Sequence, residues 1–284
     1  MANVGIVYHP QRESARTKAG ELERWLYQRD HRAVFLGESW AEDGLDLVVS
    51  LGGDGTMLRA IDRILPLPIP VLGVNFGSLG YLTEIDPDGL YGALERFFDG
   101  DYRIEERMTL SIDVEKDEGA AERPQVQAPF SKHFVALNDL VVEKLDSGHV
   151  IRVEVSFGFT HFLTYEADGL IVSTPTGSTA YSFSARGPVV SPRLRAMILT
   201  PISPHMLFDR SLVLEPSEAV ELKIAEGPSA AVMVDGSRKA VLEPGDSVRC
   251  SATQTPAHLV TFTERDFHEI LKRKFGLHSK KMGD

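Results

Sequence analysis

The sequence predicts an α/β domain followed by an all-β domain, with a final helix returning to the first. Three observations predict it. Up to about residue 103, strand-like runs alternate with helical stripes, a βαβ rhythm that places helices over a mostly parallel sheet. From Arg103 to about Thr263, short strand-like runs follow one another across turn-forming separators. The tail TERDFHEILKRKFG then returns to a helical stripe. With 284 residues, 43% of them hydrophobic, the chain is long enough for two domains of ordinary size.

The elements follow in order. NVGIVYH is the first strand, and Ala15, Ala19, Leu22, Trp25 and Leu26 form the apolar stripe of the first helix. RAVFLG and DLVVSLGG are strands, TMLRAIDRIL a helix, PVLGVNFG a buried strand and DPDGLYGALERFF another helix. This domain is expected over residues 1–103, completed by 263–284. The all-β domain, 104–262, contributes TLSIDVE, FVALNDLVVEK, VIRVEVSF, THFLTYEA, GLIVST, SLVLEP, AVELKIA, AAVMVDG and DSVRC. Inside it, Lys116 to Lys132 is polar with two prolines and reads as a mobile hairpin loop, not a linker. In the tail, Thr263 and Asp266 have capping-box spacing. Phe267, Ile270, Leu271 and Phe275 form its stripe, and Gly276 stops it. No repeat of fixed period and no low-complexity tract interrupts this pattern.

Composition excludes several classes. One cysteine, Cys250, rules out an intramolecular disulfide framework, and the N-terminal apolar run is too short for a signal peptide, so a cytoplasmic protein is expected. No window reaches the roughly 18–20 apolar residues of a membrane helix. A formal charge of -11 argues against a broad nucleic-acid surface and requires any phosphate site to be local.

The stretch DLVVSLGGDGTMLRAID carries the chemistry. Gly52, Gly53 and Gly55 follow a strand, and Thr56 opens a helix, which puts the loop at the carboxyl end of a parallel strand where open α/β sheets bind ligands. Glycines admit close backbone approach, and a helix N-terminus suits an anion. Asp54 is the anomaly. The loop lacks the GxxxxGK[ST] of a Walker A, and Leu58 stands where a dinucleotide fingerprint needs its last glycine. A carboxylate beside phosphates repels them unless a metal intervenes or the carboxylate takes a proton from an attacking hydroxyl. Both options point to phosphoryl transfer. The alternative is that Asp54 supports the turn or caps the helix.

Two further stretches are polar where the pattern is strand-like. GLIVS runs into Thr174, Thr176, Ser178, Thr179, Tyr181, Ser182 and Ser184, a hydroxyl-dense loop suited to a polar ligand, or else one whose ST-turns satisfy their own backbone. Asp168, just before it, can accept hydrogen bonds from an amide or a sugar hydroxyl, and Tyr181 offers a stacking face with a polar tip. Asn138 and Asp139 interrupt an apolar run, either as a bulge or strand end or as a pair aimed at ligand amides and hydroxyls.

Together, GGDGT at 52–56, NFGSLGYL at 75–82, Asn138-Asp139 and DGLIVSTPTGSTAYSFSA at 168–185 resemble the NAD kinases in order and spacing, over almost the whole chain. GGDG[TS] alone also fits lipid kinases and 6-phosphofructokinases; TPTGSTAY separates them. The resemblance implies an N-terminal Rossmann-like domain, an all-β C-terminal domain and a homo-oligomer, dimer or tetramer. It implies Asp54 as the base that deprotonates the adenosine 2'-hydroxyl of NAD. The donor is ATP, another nucleoside triphosphate or polyphosphate, with a divalent metal, Mg2+, on its phosphates. Gly52, Gly53, Gly55, Thr56 and Arg59 match phosphate-side positions, Asn75 opens the second motif, and Tyr81 matches an aromatic on the adenine. Asn138 and Asp139 match the pair on the ribose hydroxyls and nicotinamide-side amide. Thr176 and the run Thr179, Ala180, Tyr181, Ser182, Phe183 and Ser184 match the segment that wraps the nucleotide, and His149 and Ser203 match further contacts. Three positions depart from the pattern. Glu166 stands where many members have arginine, Ser237 where some have Gln or Arg, and Arg186 replaces a glycine. If Glu166 faces the phosphates, Glu166→Arg is expected to strengthen inhibition by NADP.

The remaining motifs read as structure. Nine histidines show no HExxH or Cys/His pairing, Ser178 lacks a GxSxG elbow, and the basic run Leu271 to Lys281 reads as cations at a helix C-terminus. A non-catalytic NAD(P)-binding sensor and a lipid kinase of related fold remain the alternative functions.

Overall fold

The computed structural model describes residues 1–37, 44–77, 80–117, 132–264 and 266–277. The body of the Lys116 to Lys132 loop, Ser78 and Leu79 of the second motif, and the end of the basic run lie outside these residues. The chain divides into two units, Met1–Glu106 with Ala257–Asp284, and Arg107–Pro256.

The first unit is a six-stranded sheet with helices. Its strands are β1 (Asn3–Tyr8), β2 (Arg32–Phe35), β3 (Leu47–Gly52), β4 (Pro70–Asn75) and β5 (Arg103–Arg107), joined late in the chain by β18 (Ala257–Thr261). Their order is β2-β1-β3-β4-β18-β5, and the pairs β1–β2, β1–β3, β3–β4 and β4–β18 are parallel. All six residues of β3 are buried, as a parallel strand covered on both faces requires. Helix α1 (Glu13–Tyr27) buries Ala15, Ala19, Leu22 and Leu26, four members of the predicted stripe. The fifth, Trp25, stacks on Tyr91 of α3 (Leu90–Phe98) at 5.3 Å between ring centroids. Helix α2 (Asp54–Ile64) starts directly after β3 and buries Met57, Ala60, Ile61 and Ile64. Complete burial of Leu22 or Leu26 stabilises by about 1.5–3 kcal/mol each, so the stripe holds the helix that shapes the loop after β1.

Two expectations change here. β5 and β18 belong to this sheet, although 104–262 was expected to be all-β. AHLVT is too short to announce a parallel partner, β4, that lies almost two hundred residues earlier. The last helix, α5 (Phe267–Phe275), is capped by Asp266, which accepts from the His268 and Glu269 amides at 2.9 and 3.3 Å, and not by Thr263. Thr263 donates instead to Glu84 at 2.9 Å. Gly276 ends the helix in the left-handed region, at φ 63°.

The second unit is β-rich. One sheet holds β6 (Leu110–Glu115), β7 (Lys132–Ala136), β9 (Ile151–Phe157), β10 (Thr160–Ala167), β14 (Val220–Glu226) and β17 (Ser247–Ala252). The other holds β8 (Asp139–Lys144), β11 (Gly169–Ser173), β12 (Met197–Ile202), β13 (Leu212–Leu214), β15 (Ala230–Val234) and β16 (Ser237–Leu242). Every neighbouring pair is antiparallel. One core unites them, with Ile112, Val153 and Leu222 from the first sheet and Val142, Leu170, Leu199 and Val232 from the second. FVALNDLVVEK is therefore two strands, not one. It leaves the first sheet at Ala136 and enters the second at Asp139, so the polar pair marks a change of sheet. A short helix, α4 (Tyr181–Ser184), follows β11.

Candidate functional site

In the first unit the strand order reverses between β1 and β3, so the loops that leave their carboxyl ends part and open a crevice. A cavity of about 640 Å3 occupies this place. His9, Pro10, Gln11 and Arg12 line it from the loop after β1, and Gly53, Asp54, Gly55, Thr56 and Arg59 from the β3–α2 junction. Asn75, Gly77 and Gly80 line it after β4, and Lys274 enters from α5.

The glycines of GGDG divide by role. A Cβ on Gly52 would lie 2.0 Å from Thr56 Oγ1, so this glycine allows the strand to meet the helix, and it does not line the cavity. Gly53 and Gly55 face open space and leave the backbone bare toward the cavity. Asp54 is the first residue of α2. Its Oδ2 accepts the Tyr81 amide at 2.9 Å and its Oδ1 the Leu82 amide at 3.0 Å. A Cβ on Gly80 would sit 2.3 Å from Asp54 Oδ1, so the loop comes close enough only because that residue is glycine. Asn75 folds the loop after β4 by exchanging two hydrogen bonds with Gly77, at 3.1 and 3.2 Å. Arg59 donates to Thr56 Oγ1 at 3.2 Å, and Arg12 donates to the Phe76 carbonyl. Tyr81 lies beside the cavity with the Lys274 ammonium 4.4 Å from its ring centre; burial, and then the Asp54 carboxylate, push its phenol pKa up.

Three cations, Arg12, Arg59 and Lys274, thus surround one carboxylate at a helix N-terminus. On a chain of net charge -11 this is a local concentration of positive charge, of the kind that suits an anion. The described residues contain no group of three or more His, Cys, Asp or Glu side chains able to hold a metal. The donor set suits a divalent cation carried on phosphates rather than one held in a protein cage.

The second unit brings other predicted residues together. Asp235, at the tip of the β15–β16 hairpin, accepts from the amides of Leu137, Asn138 and Asp139 at 2.9, 2.7 and 3.1 Å. Both turn residues, Asp235 and Gly236, have positive φ, the geometry of a tight Asp-Gly hairpin. The Asn138 side chain makes no hydrogen bond among the described residues. Asp139 is buried, and burial, and then the neighbouring Asp235 carboxylate, raise its pKa to about 7. Asp168 pairs with Lys144 at 2.5 Å, and the Tyr181 hydroxyl lies 3.4 Å from both oxygens of Glu143. Burial raises the Tyr181 phenol pKa first; Glu143, Asp139 and Asp168 add to it, which places these carboxylates around one ring.

The hydroxyl-dense loop is more self-contained than expected. Thr174 Oγ1 donates to the Leu137 carbonyl at 2.6 Å, Ser178 to Pro175 at 2.6 Å and Thr179 to Thr176 at 3.3 Å. Thr176 accepts from Arg107 at 3.3 Å, and Ser182 meets Thr200 at 3.3 Å. These hydroxyls knit the turn, as ST-motifs do. Tyr181, Ser184 and Ser203 line a cavity of about 580 Å3 together with Arg186 and Arg210. Ala180 precedes α4 and Phe183 is partly exposed on it; neither lines this cavity. His149 is exposed in the turn before β9 and lines neither cavity. Glu166 pairs across the strand with Arg152 at 3.4 Å and also lines neither.

Arg12, Lys274 and Asp235 were missed as site residues. The rule that ligands bind beyond the carboxyl ends of strands, applied to β1 as well as β3, points to residues 9–12. VDGS between two strand runs marks the Asp235 hairpin, but no local signal tells where its carboxylate reaches. Lys274 sits in a run of cations typical of any helix C-terminus.

Over most of its length the chain is similar to known proteins. The model of the ATP-NAD kinase N-terminal domain matches residues 36–102, and that of the ATP-NAD kinase C-terminal domain matches 137–262. The NAD kinase of Heliobacterium modesticaldum is 43% identical over 96% of this chain and 98% of its own. That of Moorella thermoacetica is 39% identical over 96% and 89%. Among solved structures, an Archaeoglobus fulgidus NAD kinase in complex with ATP superposes with a TM-score of 0.73 at 26% identity, covering 95% of this chain and 98% of that one. Yeast NADH kinase complexed with NADH gives a TM-score of 0.87 at 24% identity, covering 100% and 90%, and speaks to the fold.

Proposed function

The chain belongs to the NAD kinase family, enzymes that phosphorylate NAD, and we propose that Asp54 is the general base of its reaction. The adenosine 2'-oxygen of NAD attacks the terminal phosphorus of the donor, its proton passes to Asp54, and the bond from that phosphorus to the bridging oxygen breaks. One observation carries this reading. Asp54 is the carboxylate among three cations in the crevice between the β1 and β3 loops. Two backbone amides fix its orientation, and each carboxylate oxygen keeps a lone pair for an incoming hydroxyl. The bare backbone at Gly53 and Gly55, with Arg12 and Arg59, receives the donor phosphates. A divalent cation such as Mg2+ arriving on those phosphates supplies further charge neutralisation when bound.

On the nucleotide side, the Asn138 amide and Asp139 bind ribose hydroxyls and the nicotinamide-side amide, and Tyr81 packs on the adenine. Tyr181 and Ser184 contribute from the wrapping segment. A homo-oligomer, dimer or tetramer, is part of the proposal, carried by the family resemblance. Light scattering of the purified protein checks it.

The test is direct. Protein, NAD and Mg2+ are incubated with ATP, another nucleoside triphosphate or polyphosphate, and NADP is measured with a coupled dehydrogenase; a parallel series offers NADH. NADP formation with at least one donor is expected. Nucleotide binding without product from any donor would replace the kinase by a non-catalytic sensor.

A further inference from the structure

We infer that Lys274, carried by the C-terminal helix, is a phosphate-binding residue of the Asp54 cavity. The inference rests on the kinase reading only for the identity of the phosphate as that of the donor.

Helix α5 contributes no buried side chain to the first unit, and Phe275 on its apolar stripe is 41% exposed. Phe267, Ile270 and Leu271 are partly buried, so the stripe docks the helix, but packing does not account for where its cations point. Its cations differ in what they do. Lys272 pairs within the helix, to Glu269 at 2.6 Å, and is a surface ion pair of little energetic weight. Lys274, two residues on, turns away from the helix and into the cavity. Its ammonium stands 3.7 Å from Asp54 Oδ2 and 4.4 Å from the centre of the Tyr81 ring. The first distance is too long for a hydrogen bond, so the contact is one of charge, and it leaves the donor hydrogens of the ammonium for another acceptor.

The charges around it identify that acceptor. Arg12 and Arg59 make no ion pair among the described residues, and each donates only to a neutral oxygen. Lys274 and Asp54 offset each other, which leaves the two arginines uncompensated beside a helix N-terminus. A chain of phosphates meets this excess, and a lysine ammonium, a compact charge on a flexible stem, can move from Asp54 to a phosphate oxygen without rearranging the helix. The same movement releases the carboxylate for the hydroxyl proton.

Titration calorimetry with inorganic tripolyphosphate tests the inference without turnover. Lys274→Met is expected to weaken binding about tenfold or more, as loss of a charge-assisted contact does. Lys274→Arg restores most of it, and Lys272→Met leaves it unchanged. In the assay, Lys274→Met raises the KM for the donor and leaves the KM for NAD within about twofold, a split that a merely loosened fold does not give. The wild-type protein supplies a reading independent of any variant's folding: tripolyphosphate is expected to protect Lys274, and not Lys272, from acetylation, as mapped by mass spectrometry. Equal tripolyphosphate affinity in Lys274→Met, or equal labelling of Lys274 with and without tripolyphosphate, overturns the inference. If no donor yields NADP but tripolyphosphate still protects Lys274, the kinase reading falls and the phosphate site stands.

Discussion

The two candidate binding regions solve opposite electrostatic problems. In the first unit, three cations and a bare helix N-terminus face a cavity around one carboxylate; in the second, Glu143, Asp139 and Asp168 act on Tyr181, Asp235 lies beside Asp139, and Lys144 pairs with Asp168. The first arrangement suits a ligand that brings negative charge and no donors, as phosphates do. The second suits a ligand that brings hydroxyl and amide donors, as a nucleoside does. A dinucleotide kinase needs both chemistries, and the chain keeps them on separate sets of elements. The difference also shows in the backbone. The cationic site uses glycine both for open space, at Gly53 and Gly55, and for contact, at Gly52 and Gly80, whereas in the acidic site Gly177 serves contact, since a Cβ there would lie 2.1 Å from the Asn138 carbonyl oxygen.

The largest expected effect tests the carboxylate in the cationic region. Asp54→Asn keeps an acceptor for one of the two loop amides and loses the base, so NADP formation is expected to fall by about 100-fold to 10,000-fold. Circular dichroism should change little, and donor affinity should not fall, since the variant removes a negative charge beside the phosphates. Turnover near the wild-type rate would leave Asp54 as an anchor of the Tyr81 loop and nothing more.

Next in size is the division among the glycines. Gly52→Ala drives a methyl group into Thr56 and is expected to destabilise the first unit by about 1–3 kcal/mol in denaturant unfolding. Gly53→Ala meets nothing within 4 Å, so stability should hold while the KM for the donor rises. If both variants unfold alike, the cavity-facing role of Gly53 is wrong.

The acidic region has a pH signature. Asp139 titrates near pH 7 in the folded protein, and a carboxylate in the unfolded chain near 3.8. Between these values the folded state holds a proton that the unfolded state has released, so this group's stabilising contribution is complete below about 3.8 and is lost as pH rises through about 7. The Tm of the wild-type protein is therefore expected to decline from pH 5.5 to pH 8 more steeply than that of Asp139→Asn. Parallel Tm profiles would show that burial and Asp235 do not hold the proton there.

Much of this was legible in the sequence, and the losses have physical causes. GGDGT between a strand run and a helical stripe places the loop between β3 and α2 by local periodicity alone, and the α1 stripe predicted four buried residues. Three kinds of feature were not legible. A long apolar run looks the same whether it is one strand or two, so the passage of Leu137 and Asn138 between sheets was hidden. Asp235 acts on amides about a hundred residues away. Hydroxyl density in TPTGSTAYS leaves ligand binding and self-satisfying ST-turns both open, and it does not tell which hydroxyls, here Thr174, Ser178 and Thr179, bond within the protein.

The smallest expected effect concerns Glu166, whose conditional place near phosphates in the sequence reading meets a cross-strand ion pair in the structure. If this carboxylate faced phosphates, arginine there would tighten NADP binding. In the structure Glu166 stands opposite Arg152 on β9 at 3.4 Å, half exposed. Arg152 also pairs with Glu226 at 2.9 Å, so it keeps a partner when Glu166 is replaced. Glu166→Arg then exchanges an exposed cross-strand attraction for a repulsion, a change of about 0.2–1 kcal/mol that salt screens further. The NADP inhibition constant is expected to match the wild type at equal ionic strength, with Tm lowered slightly at low salt and restored at high salt. Stronger inhibition in the arginine variant would move Glu166 into the phosphate environment and blur the separation between the cationic and acidic regions.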